Sequence, residues 1–125
     1  MEKRERGTTA VSLSERDFQA QVIDYAHLRG WLVAAFRPCE SAKGWRTPMQ
    51  GDVGYPDLTM ARGGRVVFAE LKAAMGRMSV AQRGWLSVLD LKWESYHASS
   101  LANTGMVAVY VWHPSDWDTI MEILK

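Results

Sequence analysis

Two carboxylates and a lysine flank a pair of glycines. Asp57 closes the run Gly54-Tyr55-Pro56-Asp57. Glu70 and Lys72 stand in Phe68-Ala69-Glu70-Leu71-Lys72, and Gly63-Gly64 lies between the two runs. A two-residue Gly-Gly link between apolar segments is a hairpin signal. With these glycines as the loop, Arg62 pairs with Arg65, and counting back along both arms sets Asp57 opposite Glu70. Opposed residues point to one face of a sheet, with Cβ atoms ~4.5–5.5 Å apart. Side chains alternate along a strand, so Lys72 shares that face.

Carboxylates held this close repel, and they find relief by sharing a proton or a cation. Oxygen ligands suit hard ions such as Mg²⁺ or Mn²⁺. A neighbouring ammonium can orient or help deprotonate a water, or stabilise charge growing on phosphorus. Asp57, Glu70 and Lys72 are thus the inventory for metal-assisted phosphodiester hydrolysis. The structural alternative is a surface hairpin carrying a solvated Glu-Lys pair. The residues flanking Glu70 are apolar, which predicts a buried strand, where a purely structural ion pair would be expensive.

The elements that position these residues follow from pattern. Ser12–Trp31 predicts a first helix, with Ser14 as N-cap, Glu15 and Asp17 in the first turn, and Phe18, Val22, Tyr25 and Ala26 at helical spacing. Gly30 stops it. Trp31–Arg37 predicts a strand, and residues Pro38–Gly54 read as a long loop. Tyr55–Arg62 and Arg65–Lys72 are the hairpin arms. Met78–Leu91 predicts a second helix, capped by Ser79, with Leu86, Val88 and Leu89 on or near its buried side. Leu91–Thr104 either extends that helix or forms an irregular excursion. Met106–Trp112 predicts a strand, and a terminal helix is entered through Pro114 and Ser115. The order αβββαβα implies an α/β domain, a mixed sheet flanked by helices.

At 125 residues the chain is one domain, with residues 1–12 a loose polar tail and 13–125 the folded unit. An apolar fraction of 47% excludes global disorder. A net charge of +1 excludes a polybasic protein but leaves room for a local basic patch. The single cysteine, Cys39, excludes internal disulfides and Cys-based zinc clusters. His27, His97 and His113 have no metal-ligand spacing. No apolar run approaches a membrane span, and the N-terminus lacks a secretory pattern. The expected compartment is the cytoplasm.

Gly54-Tyr55-Pro56-Asp57-Leu58 followed by Phe68-Ala69-Glu70-Leu71-Lys72 resembles the PD-(D/E)XK nuclease motif. The wider order adds Ser14-Glu15, Gly30-Trp31, Met78-Ser79 with Gln82 and Trp85, and Val109-Tyr110-Val111-Trp112-His113-Pro114 with Asp116. That order resembles the virus-type replication-repair nuclease (VRR-NUC) family over about residues 13 to 124. The resemblance implies a restriction-endonuclease-like core, Mg²⁺ or Mn²⁺ dependence, and DNA phosphodiester cleavage leaving a 5′-phosphate. It implies Asp57 and Glu70 as metal ligands, the Leu71 backbone carbonyl completing the metal shell, Lys72 as the catalytic lysine, and Glu15 joining from the first helix. The Leu91–Thr104 stretch departs from the family as an insertion.

Other residues carry two readings. Glu15 also complements the helix dipole. Gln82 follows Ser79 by three, which is a capping box as well as a site position. Arg37, Lys43 and Arg46 form a phosphate clamp if the long loop borders the site, with Trp45 available for base stacking. Arg77 and Arg83 are further DNA-binding candidates. Trp31, Trp85, Trp112 and Trp117 read as core. The chain carries no appended sequence-reading module, so the expected substrate is branched or junction DNA, as in repair and recombination, cut by a homodimer with matched incisions. Trp93, Tyr96 and Leu101 offer it an apolar patch. The alternatives are a flap, nicking or less selective nuclease with the same site, and a non-catalytic DNA-binding protein on a nuclease-like fold. Compact size and the family together suggest a bacterial or phage-infected cytoplasm.

Overall fold

The computed structural model describes residues 14–36, 39–41, 44–46, 50–73, 76–89 and 106–125, with only the backbone at 39–41 and 44–46. The expected tail, the Leu91–Thr104 stretch with Trp93, Tyr96 and Leu101, and the side chains of Arg37, Lys43, Trp45 and Arg46 lie outside the described residues.

Helix α1 spans Glu15–Leu28, and Ser14 caps it by accepting from the Asp17 amide at 3.0 Å. Strand β1 (Leu32–Ala35) follows, then the short β2 (Cys39–Ser41) and β3 (Gly44–Arg46), then the hairpin arms β4 (Leu58–Arg62) and β5 (Arg65–Leu71). Helix α2 (Val80–Leu89), strand β6 (Val107–Trp112), a 3₁₀ turn at Pro114–Asp116 and helix α3 (Trp117–Leu124) complete the order. The four-stranded sheet runs β1-β4-β5-β6. Its first three strands are antiparallel neighbours, whereas β6 joins β5 in parallel. A parallel neighbour needs a crossover, and α2 lies on it.

The hairpin turn has positive φ at both Gly63 and Gly64, 56° and 79°. A two-residue turn of that kind demands glycine-like backbone, and it matches the natural twist of the arms. The resulting register pairs Arg62 with Arg65 and Leu58 with Ala69, as the sequence predicts.

Alternation then divides the sheet. Leu58, Met60, Val67, Ala69, Leu71, Ala108, Tyr110 and Trp112 face one side, where Phe18, Val22 and Ala26 of α1 and Ile120, Ile123 and Leu124 of α3 close the core. Trp31 seals its edge and donates from Nε1 to the Leu124 carbonyl at 2.8 Å. Arg62 stacks over that indole, 4.5 Å from the ring, and donates to the carbonyls of Arg29 and Lys125. Asp57, Thr59, Phe68, Glu70 and Lys72 alternate to the other side, where Gln82 of α2 reaches Glu70 and Lys72.

Two expectations need correction. The 38–54 segment is not all loop, because β2 and β3 pair as a separate two-stranded sheet with Cys39 opposite Arg46. Arms of three residues are too short to show alternation in sequence. Val88 does not face the interior but is 78% exposed. The inward stripe of α2 carries Gln82, which bonds Glu70 and Lys72, and the buried Leu86 four residues on, and Val88 falls beyond it.

Candidate active site

The site grows from the mouth of the hairpin. Asp57 lies one residue before β4, and its Oδ2 accepts from the Leu71 amide across the pair at 2.8 Å. The Asp57 carbonyl accepts from the Phe36 amide, tying it to the neighbouring strand as well. Glu70 and Lys72 are both buried, and Lys72 Nζ stands 3.4 Å from Glu70 Oε2. The Lys72 amide donates to the Trp112 carbonyl at 2.9 Å, so β6 anchors this corner from its other edge.

Helix α2 delivers the fourth member. Ser79 Oγ accepts from the Gln82 amide, and Gln82 Oε1 accepts from the Ser79 amide, at 3.1 and 2.8 Å. These are the two reciprocal bonds of a capping box. The same Gln82 Oε1 also accepts from Lys72 Nζ at 2.9 Å, and Gln82 Nε2 donates to Glu70 Oε2 at 2.7 Å. The cap and the site therefore share one amide. Helix start, Lys72 head and Glu70 carboxyl are held by a single planar group.

The electrostatics are unfavourable to two negative charges. Burial, and then the charge of Asp57, push Glu70 up to about 8, and Lys72 pulls the other way without offsetting them. Burial also raises Asp57, opposed chiefly by the Leu71 amide, with Glu15 adding to the rise. A group raised in this way gains by binding a proton or a cation. Paired oxygens in a desolvated corner, with the adjacent Leu71 carbonyl, are a donor set suited to a hard divalent ion. Among the described residues no three acidic, His or Cys side chains close into a metal cage by themselves. Backbone and solvent oxygens would have to complete a shell, as they commonly do for Mg²⁺.

Glu15 stands on the rim. Its Oε2 is 3.4 Å from the Ala73 amide, and its carboxylate and the Lys72 stem flank Gly76. It is exposed, unlike Glu70. Arg77 and Arg83 are exposed on the approach to α2 and on its outer side. Trp31 and Trp112 belong to the core and Trp117 packs against it. Trp85 is half-buried and packs differently. Its ring meets Tyr55 edge-on at 4.9 Å, and Tyr55 in turn meets Phe36 and Phe68. This aromatic cluster under the site went unread in the sequence, since its members come from four separate segments.

The loop carrying Asp57 is pressed onto α2. Gly54 has φ 96°, and a Cβ there would lie 2.5 Å from the Ala81 backbone, so only glycine permits the approach. Among the described residues no helix is long and apolar enough to cross a membrane. No family model matches the chain, and no curated protein matches it significantly.

Proposed function

We propose that the chain is a divalent-metal-dependent DNA endonuclease on a restriction-endonuclease-like core, of the PD-(D/E)XK kind and similar to the VRR-NUC family. The observation that carries this reading is the buried corner in which Asp57 opposes Glu70, with Lys72 bonded to the same glutamine as Glu70. Apolar residues at these positions would serve the fold at lower cost than two raised carboxyls and a buried lysine. Asp57, Glu70 and the Leu71 carbonyl would hold Mg²⁺ or Mn²⁺. When bound, such an ion supplies Lewis-acid polarisation of a phosphoryl oxygen and lowers the pKa of water.

The chain's own residues do the rest. Asp57 is kept oriented by the Leu71 amide. Lys72 keeps its ammonium at the carboxylate pair, where it stabilises charge that develops on the phosphoryl oxygens. Gln82 fixes the lysine head, so little reorganisation is needed when that charge appears. Arg77 and Arg83, with Arg37, Lys43, Arg46 and Trp45, are proposed to grip the strand through phosphate and stacking contacts. The finer proposal is a homodimer selective for branched DNA over linear duplex.

The test is cleavage of a four-way junction and of a linear duplex of the same sequence, with and without Mg²⁺ or Mn²⁺. Metal-dependent cleavage that favours the junction is expected. Binding of both substrates without cleavage under any metal would replace the enzyme with a DNA-binding protein. Equal cleavage of both would leave a less selective nuclease.

A further inference from the structure

Between α2 and the loop that leads to Asp57 lies an open hollow of about 340 Å³ that the catalytic reading does not use. Among the described residues it is lined by Asp52, Val53, Ala81, Gly84, Trp85 and Val88. The volume falls at the lower end of the ~300–1,000 Å³ typical of small-molecule sites. Val53 and Val88 are 75% and 78% exposed, an uncovered apolar rim on both walls. The Trp85 indole is fixed, since Nε1 donates to the Asp52 carbonyl at 3.2 Å and Tyr55 meets its ring.

Gly84 is the second observation. It lies inside the ten-residue α2, where glycine is a costly choice relative to alanine. Among the described residues no atom lies within 4 Å of where its Cβ would be, so packing against them does not require glycine there. The missing methyl leaves the floor of the hollow open next to the indole.

We infer that this hollow receives one nucleobase of the substrate strand, turned out of its stack and laid against Trp85. The inference rests on the nuclease reading above and deepens it. Charge selects this occupant. Asp52 is the charged residue of the lining and would repel a phosphate, whereas a carboxylate accepts from the amino group of a base edge. Continuity supports it too. The loop that forms one wall leads through Pro56 into Asp57, and Ala81 on the other wall precedes Gln82, which bonds Glu70 and Lys72. The hollow and the carboxylate corner are thus built from the same loop and the same helix, which puts them within one substrate strand's reach in this proposal. Unstacking is cheapest at unpaired or mismatched positions. The hollow would therefore give selectivity for branched DNA.

The test titrates the full-length chain, in chelator, with a labelled single-stranded oligonucleotide. The same oligonucleotide is then scanned with one abasic position at a time. One position should weaken binding about tenfold, as expected for losing one base–aromatic stack. Trp85→Ala should weaken the intact strand by a similar factor and erase the abasic penalty, since the two losses are the same contact. Gly84→Ala should also weaken binding while its Tm stays equal to or above the wild-type value. A flat abasic scan, or a penalty that survives in both variants, overturns the inference. So does self-association of the DNA-free protein that Val88→Asp abolishes, because a second copy would then fill the hollow. Cleavage is read separately with Mg²⁺. A flat scan with intact cleavage removes the base site and spares the nuclease. A clear abasic penalty with no cleavage under any metal supports the base site and removes the nuclease.

Discussion

Leu71 and Glu70 are neighbours in β5 and equally buried, each 1% exposed. Leu71 belongs to the apolar core that α1 and α3 close, where burial is favourable. Glu70 points to the other side, where burial, Asp57 and a shared glutamine surround a carboxyl that would be better solvated. One strand thus builds two interiors of opposite character. The core face stabilises the fold, and the α2 face stores unfavourable electrostatics that a bound proton or cation would relieve. Equal burial says nothing about equal contribution to stability.

The comparison breaks most visibly in activity. Asp57→Asn or Glu70→Gln should cut Mg²⁺-dependent cleavage by about a thousandfold or more while circular dichroism shows a folded chain. Near-normal cleavage by both variants would leave the α2 face without a catalytic role. Lys72→Ala should lower kcat by about a hundredfold or more with a smaller change in KM, because its charge matters most in the transition state. If KM rises instead and kcat holds, Lys72 is a phosphate anchor. Met60→Ala, on the core face, should do the reverse. It should cost roughly 2–5 kcal/mol in denaturant unfolding and leave the rate per folded molecule unchanged.

Stability against pH separates the faces more gently. Between about 4.5 and 8 the folded chain keeps a proton on Glu70 that the unfolded chain releases. Stability of the metal-free protein should therefore be highest at the acid end of that window and fall as pH rises through it. Asp57 adds in the same direction. Glu70→Gln should flatten the curve and raise Tm at pH 8, and an unchanged slope would mean the pair is not desolvated. The smallest effect is expected where helix cap and site meet. Ser79→Ala should cost ~1 kcal/mol and little activity, because Gln82 keeps its bonds to Glu70 and Lys72. A large loss of rate there would show that the cap positions the amide.

Residues close in the chain were readable before folding. The Gly63-Gly64 turn, the alternation of the arms and the caps at Ser14 and Ser79 are short-range geometry. The four strands of the main sheet and the three helices follow from the same signals. The β2–β3 pair was not legible, since three-residue arms carry too little pattern. Nor was the exposure of Val88, which depends on how α2 is rotated over the sheet.

At the candidate site the division is the same. The sequence by itself determined that Asp57 opposes Glu70 and that Lys72 shares their face, because a two-residue turn and the period of a strand leave one register. Only the tertiary structure decided how that trio behaves. Burial raises Glu70, and Gln82 is a bridge as well as a cap. Trp85 and Gly84 open a hollow against a loop some thirty positions away in the chain. Pairing is fixed by bonds and angles along a short run. Desolvation and cavity shape depend on which distant segments pack together, and that is a property of the whole fold.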